Sequence, residues 1–99
     1  MVLAKVVGTV VSTHKEQSLD GAKFLLLQQV DLEGKNSGGF IVAVDAVDAG
    51  VGEYVLYATG SSARQTKRTD KKPCDTVVMA IVDQWEVRGT TKYNKNEQT

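Results

Sequence analysis

Several residues of this 99-residue chain are of types that could do chemistry, so they are taken first. His14 is the only histidine and sits in a polar stretch beside Lys15 and Glu16. A histidine base or metal ligand needs a partner, and there is no second histidine to supply one. It reads as a solvated surface residue. Cys74 follows Pro73, and Lys71 and Lys72 could lower its thiol pKa. Without a histidine partner it reads as an incidental thiol. Asp45, Asp48, Asp75 and Asp83 lie at strand ends or in loops, where paired carboxylates can do acid–base work or bind metal. No calcium-loop spacing and no Cys/His cluster accompanies them, and they read as strand terminators and turn caps. Gly50 and Gly52 open no long helix, so a dinucleotide fingerprint is not supported. No enzyme activity, metal or cofactor is expected.

The sharpest local feature is residues 60–66, GSSARQT. Small residues with open backbone amides, next to Arg64, could cradle an anion. The same string also fits a tight turn, with Ser62 and Gln65 at capping-box spacing for one short helical turn. The basic residues Lys67, Arg68, Lys71 and Lys72 that follow could touch nucleic acid. Asp70 and Asp75 dilute them, and no aromatics are interleaved as a stacking platform would need.

The elements that must carry these residues are short strands. Residues 2–12 are rich in β-branched side chains with no helical stripe, and residues 23–30, 40–45, 53–59 and 76–82 read the same way. Polar segments crowded with Gly, Asn and Asp divide them, notably 13–22 and 31–39. Residues 83–87 read as an extension of the last strand. From Gly89 the chain turns polar, and residues 85–99 read as a partly disordered C-terminal extension. Five strands with little helix predict a small all-β barrel or sandwich. Two of the strands are apolar on both faces: Leu25 and Leu27 oppose Phe24 and Leu26, and Val78, Ala80 and Val82 oppose Val77, Met79 and Ile81. A small barrel has only one inward face, so the outer residues need a cover such as a partner subunit.

Composition sets the outer bounds. The length suits one domain, 41% of residues are hydrophobic and 24% charged, and Lys plus Arg balance Asp plus Glu at zero net charge. That gives no general pull toward nucleic acid or anionic lipid. A single cysteine excludes an internal disulfide, and no run approaches the ~20 apolar residues of a membrane span. No signal peptide is read at the start, and a cytoplasmic protein is expected.

Taken in order, the segments LAKVVGTVVST, VAVDAVDAGVGEYVL, GSSARQT and the strand ending AIVD resemble the bacterial microcompartment vertex domain family. That family includes the carboxysome vertex protein and the pentameric shell proteins of ethanolamine and propanediol utilisation compartments. The resemblance spans residues 1–84. It implies an OB-like five-stranded β-barrel without a catalytic site, assembled as a cyclic homopentamer that caps icosahedral vertices among hexameric shell proteins. No cofactor, nucleic-acid partner or membrane partner is expected. Five copies crowd one loop at the axis, which must be small and free of uncompensated charge. On the family's motif, Gly60, Ser61 and Ser62 are assigned to the axial opening. Arg64 is expected behind them, pairing with Asp48 or Glu53 of a neighbour. Trp85 and Tyr93 are aromatic anchors, either at the subunit interface or folded back on their own barrel. The rival readings are an OB-like binding module for single-stranded nucleic acid or a small anion, and a thiol- or metal-dependent enzyme.

Overall fold

The computed structural model describes residues 1–12, 21–60 and 75–97. Five strands close into a barrel: β1 (Val2–Val10), β2 (Phe24–Val30), β3 (Asn36–Asp45), β4 (Tyr54–Thr59) and β5 (Thr76–Ile81). Their order around the barrel is β1-β2-β3-β5-β4, returning to β1. This is the expected OB-like barrel. All neighbours are antiparallel except β3 and β5, which pair in parallel only at Val44–Val77 and Asp45–Val78. A parallel pair needs a long crossover, and here β4 and the segment after it provide one.

Alternation fills the barrel. Ala4, Val6, Leu25, Leu27, Ala43, Val55, Tyr57 and Val78 form the interior cluster, with Ile81 packed against it. Each of the larger side chains contributes about 1.5–3 kcal/mol by leaving water. A second cluster lies outside the barrel wall, where Val44 and Val77 pack with Phe24 and Met79. The apolar double faces of β2 and β5 are therefore real. Strict alternation along β5 is not. Leu56 pairs with Ala80 and Tyr57 with Val78, so Met79 is an extra residue in a β-bulge. The bulge turns Ile81 inward beside Val78, where unbroken alternation puts it outside. A bulge at Val7 similarly keeps Val6 on Leu27 and Gly8 on Leu26.

Two boundaries differ from the sequence reading. The β2–β3 turn is tight: Asp31 Oδ1 accepts the amides of Glu33 and Lys35 at 2.8 and 3.0 Å. This Asx-type turn ends at Lys35, and β3 begins at Asn36 rather than Phe40. Gly38, at φ 75°, sits in the irregular stretch between the Gln28–Phe40 and Val30–Asn36 pairs. At the other end, β5 stops at Ile81 instead of running on to Val87. Residues of the expected loose extension form a hairpin, β6 (Gln84–Val87) and β7 (Thr90–Asn94), followed by a 3-10 turn at Lys95–Glu97. Its loop is Arg88–Gly89, with φ of 53° and 81°. Positive φ at both positions suits the type I′ geometry that matches strand twist. The helical turn expected at Ser62–Gln65 lies outside the described residues.

Candidate functional site

Among the described residues, no three of His, Cys, Asp and Glu come close enough to hold a metal ion. His14, Cys74 and the basic residues 67–72 lie outside the described residues. Asp45 is buried at 1% exposure and acts as a cap. Its Oδ1 accepts the amides of Val47 and Ala49 at 3.0 and 3.3 Å, and Oδ2 lies 3.5 Å from Lys23 Nζ. Lys23 Nζ also donates to the Ala49 carbonyl at 3.2 Å. The carboxylate thus holds the loop after β3 closed, as the turn-cap reading expects.

Of the residues singled out for assembly, Asp48 and Glu53 precede β4 and Gly60 follows it. Glu53 Oε1 accepts the Gly50 amide at 2.6 Å and its Oε2 accepts from Lys95 Nζ at 2.5 Å. The Lys95 hydrogen bond, aided by the Gly50 amide, holds the Glu53 carboxyl below its ordinary pKa. Asp48 lies in the same connection, exposed and at φ 59°. Gly60 follows the strand, exposed at φ 65°, and its amide donates to the Asp75 carbonyl at 2.9 Å. Ser61, Ser62 and Arg64 lie outside the described residues. Six strand residues separate Glu53 from Gly60. At ~3.3 Å per residue that is roughly 20 Å of barrel.

Trp85 folds back on its own subunit. Its indole N–H donates to the Leu32 carbonyl at 2.8 Å, and its ring stacks on Tyr93 at 5.2 Å and meets Tyr54 edge-on at 5.1 Å. Tyr54 and Tyr93 complete the trio at 4.6 Å. Burial raises the Tyr93 phenol above its usual pKa. The trio fastens the hairpin to the start of β4 and to the β2–β3 turn, where Gly34 lies against both Tyr54 and Trp85. The exposed flank of Trp85 lines an apolar groove of about 670 Å³ together with Leu3, Val30, Leu32, Leu56 and Val82.

Three features escaped sequence reasoning. Lys95 lies in residues 85–99, which the sequence reading gives as a partly disordered extension. Tyr54 was only one apolar residue of a strand. Gln28 and Gln29 interrupt an apolar strand, and that interruption was the available signal. Gln29 Nε2 donates to the Tyr57 hydroxyl at 2.7 Å, and Gln28 Nε2 donates to the Gly38 carbonyl at 3.3 Å. Together they satisfy polar groups where the barrel interior ends.

Comparison with known proteins adds what geometry alone leaves open. The family model described as "Ethanolamine utilisation protein EutN/carboxysome" matches residues 1–83. The chain belongs to the EutN/CcmL family. Within the EutN/CcmL family it is similar to the carboxysome shell vertex protein CcmL of Gloeobacter violaceus, 45% identical over 98 residues, covering 99% of this chain and 98% of the relative. The solved structure of that CcmL aligns with a TM-score of 0.93 at 44% identity, over 98% of this chain and 100% of the other. The bacterial microcompartment shell vertex protein EutN of Salmonella typhimurium is 40% identical over 95 residues, 96% of each chain. The GrpN pentameric microcompartment shell protein from Rhodospirillum rubrum aligns with a TM-score of 0.81 at 44% identity, over 88% of this chain and 99% of that one. The match to CcmL and EutN runs through the β6–β7 hairpin as well as the barrel.

Proposed function

We propose that this chain is a structural shell protein whose homopentamers cap the vertices of a bacterial microcompartment. The observation that carries the reading is the near-full-length likeness to shell vertex proteins, in sequence and in fold together. The protein acts inside the bacterial cell, as part of the compartment shell. Its work is geometric rather than catalytic. A flat sheet of hexagonal tiles closes only where five-fold corners are inserted, and a cyclic head-to-tail interface among five identical subunits makes such a corner. The outer apolar cluster and the exposed apolar side chains of β3 suit that role, because a ring of subunits covers them.

In this assembly Gly60, Ser61 and Ser62 line the axial opening, and hexameric shell proteins surround the pentamer. Arg64 pairs with Asp48 or Glu53 of the next subunit. The length of β4 supports a pairing across subunits, since Glu53 and Gly60 lie at its opposite ends and Lys95 already holds Glu53 within the subunit. The binding-module alternative for single-stranded nucleic acid or a small anion draws no support from these relatives. Native mass spectrometry of the purified chain tests the proposal. A five-subunit particle that survives moderate salt is the expected result; a stable monomer or dimer at micromolar concentration refutes it.

A further inference from the structure

Among the described residues, one edge of β3 is unpaired over most of its length. β2 runs along the other edge from Asn36 to Val44, but β5 reaches only Val44 and Asp45. Among the described residues, no strand pairs with Gly38–Ala43 on that side. The outer face of the same segment carries Phe40 at 66% and Val42 at 51% exposure. Leu26 lies opposite Val42 on β2, and Val7 stands out from the β1 bulge at 40% exposure. A long, apolar, uncovered edge invites association, and soluble proteins normally blunt it. Here no charge, proline or covering loop does so among the described residues, and two glycines flatten the approach.

A second apolar surface lies elsewhere on the outer wall. It is the groove of about 670 Å³ between β1, β4 and the hairpin, floored by Leu3 and Leu56, with Leu32 at its lip 60% exposed. Lys5 and Gln28, paired across β1 and β2, separate it from the ridge of Val7, Leu26 and Val42. One surface is a ridge and the other a concavity. They are built from different residues. A two-fold interface joins a patch to itself, whereas a closed ring of more than two subunits needs two unlike patches on every copy. Stable interfaces bury about 800 Å² per partner, so a seam here takes in the polar rims of both patches as well as their apolar centres.

We propose that the seam between neighbouring copies is formed by the Phe40–Val42 ridge of one subunit seated in the Leu32–Leu56–Trp85 groove of the next. This rests on the pentamer reading above and assigns its two faces. It gives the apolar outer residues of β2 and β3 a cover, and it gives Trp85 a place at the interface through its outer flank while its indole N–H stays on Leu32.

The test uses two variants at exposed positions, Phe40→Asp on the ridge and Leu32→Asp at the groove. Neither side chain belongs to the interior cluster, so each subunit keeps its barrel, checked by circular dichroism. Each variant alone is expected to dissociate the ring, weakening subunit association about 30-fold or more. Mixing the two is the decisive arm. The Leu32→Asp subunit keeps an intact ridge and the Phe40→Asp subunit an intact groove. One good seam forms and cannot propagate, so native mass spectrometry should record a one-to-one heterodimer. A wild-type pentamer that survives both substitutions, or a mixture that yields no heterodimer, overturns the seam assignment and leaves the vertex reading standing. A wild-type chain that never forms a ring overturns both.

Discussion

Lys95 and Glu53 tie the final turn of the chain to the turn before β4, with Nζ 2.5 Å from Oε2 while the other carboxylate oxygen holds the Gly50 amide. Both contacts favour the ionised carboxylate, so the Glu53 pKa lies below its ordinary 4.5, and the Lys95 pKa is raised above 10.5 chiefly by the same hydrogen bond. A carboxyl depressed in the folded state contributes stability that is complete above its unfolded pKa and is lost as pH falls through the folded one. A lysine raised in the folded state contributes stability that is complete below its unfolded pKa and is lost as pH rises through the folded one. The pair therefore supports the fold across the whole range between these limits.

Glu53→Gln keeps an acceptor for the Gly50 amide and removes the charge. The variant should melt below wild type at neutral pH, and the two curves should converge once the pH drops well under 4.5. Thermal melts followed by circular dichroism at a series of pH values read this. A gap that stays constant down to strong acid would show that the ion pair contributes nothing.

Gly38→Ala should destabilise the subunit by more than about 1 kcal/mol, for two separable reasons. The backbone there has φ of 75°, and a Cβ would run into the Gln29 side-chain amide. In a Gln29→Ala background the steric part disappears and the backbone part remains, so the cost of Gly38→Ala should fall without vanishing. Chemical denaturation of the four proteins measures it, and an unchanged cost in the second background contradicts the contact.

The bulge at Met79 predicts unequal outcomes for neighbouring substitutions. Ile81→Asp puts a carboxylate against the interior cluster, which costs several kcal/mol and consumes much of the stability of a small domain. It should yield no soluble folded protein. Met79→Asp faces the outer cluster and should cost about 1–2 kcal/mol while the barrel still forms. Equal effects at the two positions would mean that β5 alternates without a bulge.

The axial assignment of Ser61 makes a salt-dependent prediction. Ser61→Asp would place five carboxylates in one ring, so the pentamer should weaken at low ionic strength and recover as salt screens the repulsion. Light scattering across a salt series follows this. Indifference to salt would move the loop away from the axis.

The barrel was legible because its signal is local. β-branched runs, polar turns and the apolar double faces of FLLLQQV and TVVMAI specify strands that need cover on both sides. What escaped was registry. Nothing in TVVMAI says which residue is extra, because Met79 and its neighbours are all apolar and the bulge is set by pairing with Leu56 and Tyr57. The hairpin was missed because its apolar residues are few. Trp85, Val87 and Tyr93 are spaced among charges, and the Arg88–Gly89 dipeptide was its only turn signal. Its order comes from Tyr54, thirty-one residues before Trp85, a partnership that no short window contains. Of the residues assigned to assembly, Glu53 and Gly60 were placed at ends of β4 by their turn-forming neighbours, but Glu53's bond to Lys95 depends on the hairpin and so was hidden with it.

The parallel joint between β3 and β5 has a consequence in time as well as in space. The other barrel seams pair over at least four residues, but this one joins residues 44–45 to 77–78 through only two pairs. Bringing such distant segments together costs chain entropy before it returns any contact energy, which makes it a late step in folding and an early one in unfolding. Among the described residues, the β3 edge beside that joint pairs with no other strand. A neighbour docking there would clamp the weakest closure of the barrel from without, so that ring formation and the kinetic lifetime of each subunit become a single quantity.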